Sequence, residues 1–142
     1  MEIAFVTTTT GPFEEAVART RDALAQQGFG VLTEIDIRAT LNAKLGGDAG
    51  DRLGDYLILG ACNPQFAQQA LSAYRQIGVL LPCNVVLRTA PGDDAVVVEA
   101  MNPNLMAEVT DEPKLVDIAA EVGRRLQAAL DLSLIHISEP TR

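Results

Sequence analysis

Residues 56–64 read Tyr-Leu-Ile-Leu-Gly-Ala-Cys-Asn-Pro, and the rest of the predicted fold is arranged around them. The first six residues form a continuous apolar run, which is typical of a strand in the interior of a sheet. Asn63 is a favourable helix N-cap, and Pro64 fits the first helical position. The stretch therefore predicts a central strand over 56–61 that leads directly into a helix, with Cys62 at the junction.

Upstream of this stretch the sequence predicts a strand, a helix and a second strand. The first strand covers Glu2–Thr8, and the helix starts at Pro12 and closes at Gly28. Phe29–Arg38 alternates apolar and polar residues, as a half-buried strand does. The next segment, Ala39–Asp55, contains four glycines and mixed charges, and we expect a helical turn followed by a mobile loop.

Downstream, the helix after Pro64 is expected to end near Gly78. Pro91–Asp94 reads as a hairpin turn between two strands, Asn84–Arg88 and Ala95–Ala100, and a last helix opens at 110–113. A short hairpin requires antiparallel pairing. The predicted order is β-α-β-β-α-β-β-α, an α+β fold in which a mostly antiparallel sheet carries its helices on one face.

The composition excludes several classes of function. The chain has 142 residues, 48% of them hydrophobic, which suits one globular domain. Its net charge of −8 argues against a nucleic-acid partner and against docking on anionic lipid. No apolar run is long enough to span a membrane, and no signal peptide is visible, so we expect a cytoplasmic protein with reduced thiols.

The C-terminal segment does not continue the period of the last helix. Ser133–Arg142 resembles translated vector or adaptor sequence, and such segments are set aside in fold reasoning. We therefore predict one domain over 1–131 and a non-native tail over 132–142. The tail contains His136, the only histidine of the chain, so no Ser/His/Asp catalytic set can be drawn within the domain.

Two cysteines are the main candidates for chemistry. Cys62 and Cys83 each lie beside a proline and are followed by Asn63 and Asn84. Cys62 precedes a helix N-terminus, where amide donors favour a thiolate. Two thiols could form a redox pair, act as a single reactive thiol, or bind a soft metal such as Cu(I). The alternative is that both are small buried apolar residues.

Other candidates have weaker support. Lys44 lies in the glycine-rich segment and could bind an anion or act as an amine nucleophile, although a solvated surface charge is the commoner role. That segment does not match the phosphate-binding pattern GxxxxGK[ST]. Met101 and Met106 could add thioether ligands to a soft-metal site, but such residues more often fill gaps in a core.

The order of these motifs resembles domain-of-unknown-function family 302 (DUF302). The most specific pieces are Leu-Gly-Ala-Cys-Asn-Pro at 59–64 and Leu-Leu-Pro-Cys-Asn-Val at 80–85, and the resemblance extends to about Asp131. It implies a compact α+β domain, a homodimer, an occurrence mainly in bacteria and archaea, and no established enzyme activity. It also supports Cys62, Cys83 and Lys44 as the positions to test.

Three functions remain open at this point. The favoured one is a non-enzymatic homodimer that holds a small molecule or a soft metal near Cys62 and Cys83, with Lys44, Asn63 and Asn84 as further ligand-binding residues and the two cysteines as metal ligands. The second is a thiol-dependent enzyme or redox protein with Cys62 as nucleophile. The third is a structural or interaction domain whose cysteines only pack. The sequence names no cofactor.

Overall fold

A five-stranded antiparallel sheet forms the centre of the protein, as the sequence predicts. The structure is a computed structural model that describes the backbone of residues 1–138 and the side chains of residues 1–132. The strands are β1 (Ala4–Thr9), β2 (Gly30–Asp36), β3 (Asp55–Cys62), β4 (Cys83–Thr89) and β5 (Val96–Met101). Their order in the sheet is β1-β5-β4-β3-β2, and every neighbouring pair is antiparallel.

Six α-helices complete the fold of the residues that the structure describes. They are α1 (Phe13–Gln26), α2 (Ile37–Leu45), α3 (Ala49–Leu53), α4 (Pro64–Ala73), α5 (Asn104–Thr110) and α6 (Lys114–Ser138), with a short 3₁₀ helix at Arg75–Leu80 between α4 and β4. Helix α6 packs against α1, α4 and α5 and also against strands β1 and β5. This layer covers one face of the sheet, as the sequence predicts.

The hydrophobic core lies between this helix layer and the sheet. Alternate strand residues point into it because successive side chains of a strand point to opposite faces. Leu59 on β3, Val85 on β4 and Val98 on β5 are completely buried there. They form one cluster with helix residues such as Leu24 and Leu126.

The segment between β2 and β3 differs from the prediction of a mobile loop. Helices α2 and α3 occupy most of it, and Ile37 and Arg38, which were assigned to the strand, begin α2. The Asp36 carboxylate caps α2 by accepting a hydrogen bond from the Ala39 amide. The glycines that suggested a loop instead end these helices, since Gly46 and Gly54 are their C-caps and both have positive φ.

Strand β2 is more exposed than an alternating pattern implies. It lies at the edge of the sheet, and its register against β3 shifts between Val31 and Thr33. The irregularity leaves the Leu32 side chain 68% exposed. An edge position with a bulge is a common arrangement that hinders unwanted strand pairing.

The C-terminal end of the chain also differs from the expectation. Helix α6 continues as far as Ser138, whereas the sequence period suggested an end near residue 131. Helix α5, which precedes α6, was not predicted. The expected tail over 132–142 lies outside the described side chains except for Leu132, and the foreign origin of that segment stays a prediction.

Candidate functional site

A cavity of about 290 Å³ lies where β3 ends and β4 begins, beneath α4 and α6. Its wall is apolar apart from two thiols and one amide, and no charged side chain lines it. The residues that form most of the wall are Phe29, Leu32, Cys62, Asn63, Phe66, Ala70, Leu71, Leu81, Cys83, Met106, Leu115, Ile118, Ala119 and Val122. Leu32 and Leu71 are exposed, so the cavity opens to solvent beside β2 and α4.

The strand register brings both cysteines to this cavity. Cys83 is the first residue of β4 and pairs with Ala61, the residue that precedes Cys62 on β3. Cys83 is buried, Cys62 is half-buried, and both are free thiols. The two cysteines that the sequence singled out therefore line one site, although they are 21 positions apart in the chain.

Asn63 fixes the start of α4 at the edge of the cavity. Its side-chain oxygen accepts a hydrogen bond from the Phe66 amide at 3.1 Å, as expected of an N-cap. Its Nδ2 donates to the carbonyl of Gly28 at 3.1 Å. Pro64 occupies the first helical position. The predicted junction of strand, N-cap and helix is confirmed, and it holds the Phe66 ring in the cavity wall.

Arg125 from α6 lies over the Phe66 ring. The guanidinium carbon lies 5.1 Å from the ring centroid, within the range of a cation–π contact. Arg125 Nε also donates to the Glu121 carboxylate at 3.0 Å. Gly28 fits tightly beside these groups, because its φ is +87° and a Cβ there would lie 2.9 Å from Asn63 Nδ2. Arg125 therefore holds the Phe66 ring, and Gly28 leaves room for the Asn63 and Arg125 side chains.

The electrostatics of the cavity favour neutral groups. The pKa of the Cys83 thiol is raised to about 11, first because burial disfavours the thiolate and second because Cys62 lies nearby. Cys83 is therefore a protonated thiol at neutral pH. It behaves as an apolar residue of the wall with a weak hydrogen-bond donor.

This raised pKa predicts a loss of stability in alkali. The Cys83 thiol of the unfolded chain ionises near its ordinary value of 9.0, whereas the folded thiol ionises near 11. Between pH 9 and pH 11 the Cys83 thiol is ionised in the unfolded chain but still protonated in the folded protein. The contribution of Cys83 to the free energy of unfolding is therefore fully present below pH 9 and is lost as the pH rises to 11. The loss amounts to at most about 3 kcal/mol.

The measurement is urea unfolding at several pH values between 8 and 11 for the wild type and for Cys83→Ala. Other groups titrate in the same range, so the difference between the two proteins isolates the contribution of Cys83. The stability difference should shrink as the pH rises. A difference that is constant over this range would contradict the assigned ionisation.

Two of the predicted site residues lie away from the cavity. Lys44 is exposed on the last turn of α2, and Asn84 is exposed on β4 next to Cys83. Neither lines the cavity. Met106, which was considered as a thioether ligand, does line it, whereas Met101 does not.

Most of the cavity wall was not foreseen as a site. Phe66, Leu115, Ile118 and Val122 belong to the apolar periodicity of their helices, which is the same signal that core residues give. A sequence signal was available only for the cysteines and the N-cap, because their residue types are unusual at those positions.

No metal centre is evident in the part of the chain that the structure describes. Within residues 1–132, no group of three or more His, Cys, Asp or Glu side chains is placed to hold a metal ion. The candidate metal ligands Cys62 and Cys83 therefore lack a third ligand of these types. Metal binding by the two thiols stays a prediction.

None of the helices within the described residues is both long enough and apolar enough to cross a membrane. The expected cytoplasmic location stays a prediction.

Comparison with known proteins identifies the family. The family model described as "Domain of unknown function DUF302" matches residues 5–133. The chain belongs to the DUF302 family. A search of curated proteins finds no match. The DUF302 chain is also similar to a solved structure, titled as an uncharacterized conserved DUF302 protein from Bacillus stearothermophilus. The two share 27% sequence identity and a TM-score of 0.83, and the match covers 94% of this chain and 99% of the other.

Proposed function

We propose that this DUF302 domain binds a small, neutral, apolar molecule in the cavity that Cys62 and Cys83 line, without carrying out a reaction on it. The observation that carries this proposal is the wall of the cavity, which has no charged side chain and only one amide. An apolar pocket with a few polar groups is the usual form of a small-ligand site.

The lining favours a neutral ligand over an ion. A charged group that enters the cavity would lose its hydration and find no opposite charge on the wall, which is unfavourable by several kcal/mol. A hydrocarbon or aromatic group would instead gain about 25 cal/mol for each Å² of its surface that leaves water. The Asn63 amide and the thiols at the cavity can orient one polar atom of such a ligand.

The size of the cavity limits the ligand. Its volume of about 290 Å³ lies at the lower end of the range of small-molecule sites, which is about 300–1,000 Å³. One or two aromatic rings or a short alkyl chain fit this space, because a cavity of about 150 Å³ already holds benzene. Because the cavity opens beside Leu32 and Leu71, a longer molecule can extend out along these exposed side chains.

The protonated state of Cys83 separates this proposal from thiolate chemistry. A soft-metal site or a dithiol redox pair uses thiolates, and Cys83 would have to lose a proton that burial retains at neutral pH. No histidine lies within residues 1–132 to accept that proton. A neutral ligand requires no such step, which is why we favour it.

The test is a fluorescence titration with N-phenyl-1-naphthylamine, a neutral aromatic probe whose emission rises in apolar surroundings. We expect a saturable signal with one probe per chain, and the same affinity in Lys44→Ala, since Lys44 lies outside the cavity. A signal that rises linearly without saturation, or no signal, would count against the proposal.

A further inference from the structure

A groove on helix α4 adjoins the cavity. Its volume is about 470 Å³, and its wall is formed by Pro64, Ala67, Gln68, Leu71, Ser72 and Arg75. Ala67 and Leu71 also line the cavity. These two residues are four positions apart and lie side by side on the helix surface. A molecule that extends out of the cavity past the exposed Leu71 side chain therefore enters the groove.

The groove and the cavity differ in polarity. The cavity wall has no charged side chain, whereas the groove contains the Arg75 guanidinium together with the polar side chains of Gln68 and Ser72. All three side chains belong to exposed residues. An apolar cavity that leads to a few polar groups and one positive charge suits a molecule with an apolar body and an anionic end.

Arg75 differs from the other arginines of residues 1–132 in its lack of an acidic partner. The other seven each form an ion pair with a carboxylate, whereas Arg75 forms none with the residues that the structure describes. The chain has 19 acidic and 11 basic residues, so a shortage of carboxylates does not explain the difference. The guanidinium is therefore available to a carboxylate from outside the chain, which its planar fork can bind through two hydrogen bonds.

We infer that the ligand is a medium-chain carboxylate, whose alkyl chain lies in the cavity and whose carboxylate binds Arg75 in the groove. The inference rests on the proposed function, because the apolar cavity has to hold the alkyl chain. The carboxylate stays outside the cavity, so the part of the ligand inside is neutral, as the apolar wall requires. A phosphate monoester suits the groove less well, because it carries nearly two negative charges and Arg75 supplies one positive charge.

The volume of the cavity sets the length of the alkyl chain. A cavity of about 150 Å³ holds the carbon atoms of benzene, so the volume of about 290 Å³ holds roughly ten to twelve carbon atoms. Each methylene group that enters the cavity should increase the affinity about 4-fold. Decanoate and the neutral alcohol 1-decanol both have a chain of this length, and they differ in the charge of the end group.

The test is isothermal titration calorimetry of the full chain with decanoate and with 1-decanol at about pH 8, where free decanoate is ionised. The proteins are the wild type, Arg75→Gln and Arg52→Gln. Arg52 is exposed on α3, pairs with Asp48, and lines neither the groove nor the cavity. Both variants remove one positive charge, so the comparison separates a direct contact at Arg75 from the effect of the overall charge.

We expect Arg75→Gln to weaken the binding of decanoate about 5-fold and to leave the binding of 1-decanol unchanged. Arg52→Gln should bind both molecules as the wild type does. An increase of the NaCl concentration from about 0.05 to about 0.5 M should weaken decanoate binding in the wild type, because salt screens the ion pair. Decyl phosphate should bind the wild type more weakly than decanoate does.

The outcomes distinguish failure of this inference from failure of the proposed function. If 1-decanol binds the wild type but decanoate does not, or if Arg75→Gln binds decanoate as tightly as the wild type, this inference alone is overturned. Equal losses in Arg75→Gln and Arg52→Gln would also overturn it, because the effect would then come from the overall charge. Tighter binding of decyl phosphate would overturn the choice of a carboxylate. If neither decanoate nor 1-decanol binds the wild type, the proposed function fails together with this inference.

Discussion

Ala119→Leu is expected to weaken binding of N-phenyl-1-naphthylamine at least about 100-fold. Ala119 is buried on α6 and lines the cavity, so the three additional carbon atoms of leucine extend into the space that the probe needs. Stability should stay within about 1 kcal/mol of the wild type or rise, because the added side chain fills a void without displacing core residues.

The control for this variant is Ala18→Leu, which makes the same change at an exposed position of helix α1. It should bind the probe with wild-type affinity. The comparison is made by fluorescence titration, with thermal unfolding of each variant to show that it is folded. Equal affinity in Ala119→Leu and the wild type would show that the probe binds elsewhere, and the proposed site would be wrong.

Gly60→Ala is expected to destabilise the protein by about 2–3 kcal/mol. Gly60 lies on β3 two residues before Cys62. A Cβ at this position would collide with Thr33 Oγ1 and would lie 2.8 Å from Cγ of Pro82. Thr33 can rotate towards solvent, but Pro82 is a rigid ring next to Cys83. The collision should therefore shift the start of β4 and the cavity wall.

Gly30→Ala is the matched control for this substitution. Gly30 lies on the neighbouring strand β2, where it pairs with Cys62, and a Cβ there would have no atom within 4 Å. Its φ is not in the left-handed region, so alanine should be neutral or slightly stabilising. Urea unfolding measures both variants. Equal free energies of unfolding for Gly60→Ala and Gly30→Ala would mean that the close approach of Pro82 to Gly60 does not affect stability.

The parts of the fold that were predictable are those where a strong local pattern agrees with the tertiary structure. The apolar run before Cys62 gave a buried strand, and Asn63 with Pro64 gave the start of α4, because capping depends on residues that are adjacent in the chain. The hairpin between β4 and β5 was predictable for the same reason, since its turn residues are local.

The prediction failed where glycines have more than one structural use. Between β2 and β3, the glycines suggested a mobile loop, but they act as helix C-caps and as a close contact between helices. A Cβ at Gly50 would meet the Asn42 side chain at 2.8 Å, so the contact between α2 and α3 requires a glycine there. Local composition does not distinguish a glycine that loosens the chain from one that permits close packing.

The candidate site was predictable only in its polar part. Cys62, Cys83 and Asn63 have residue types that draw attention, and the sheet register brings them to one cavity. Most of the rest of the wall consists of apolar side chains from α4, α5 and α6 that give the same sequence signal as the core. Whether such side chains enclose a void or fill it depends on how the helices pack, and no local pattern records that.

The central claim is that a small neutral apolar molecule occupies the cavity of Cys62 and Cys83. The most direct measurement is a crystal structure of the protein soaked with iodobenzene, in which the anomalous signal of iodine marks the position of the ligand. We predict a peak inside the cavity, in contact with Phe66 and close to Cys83. Peaks confined to the protein surface, with none inside the cavity, would contradict the claim.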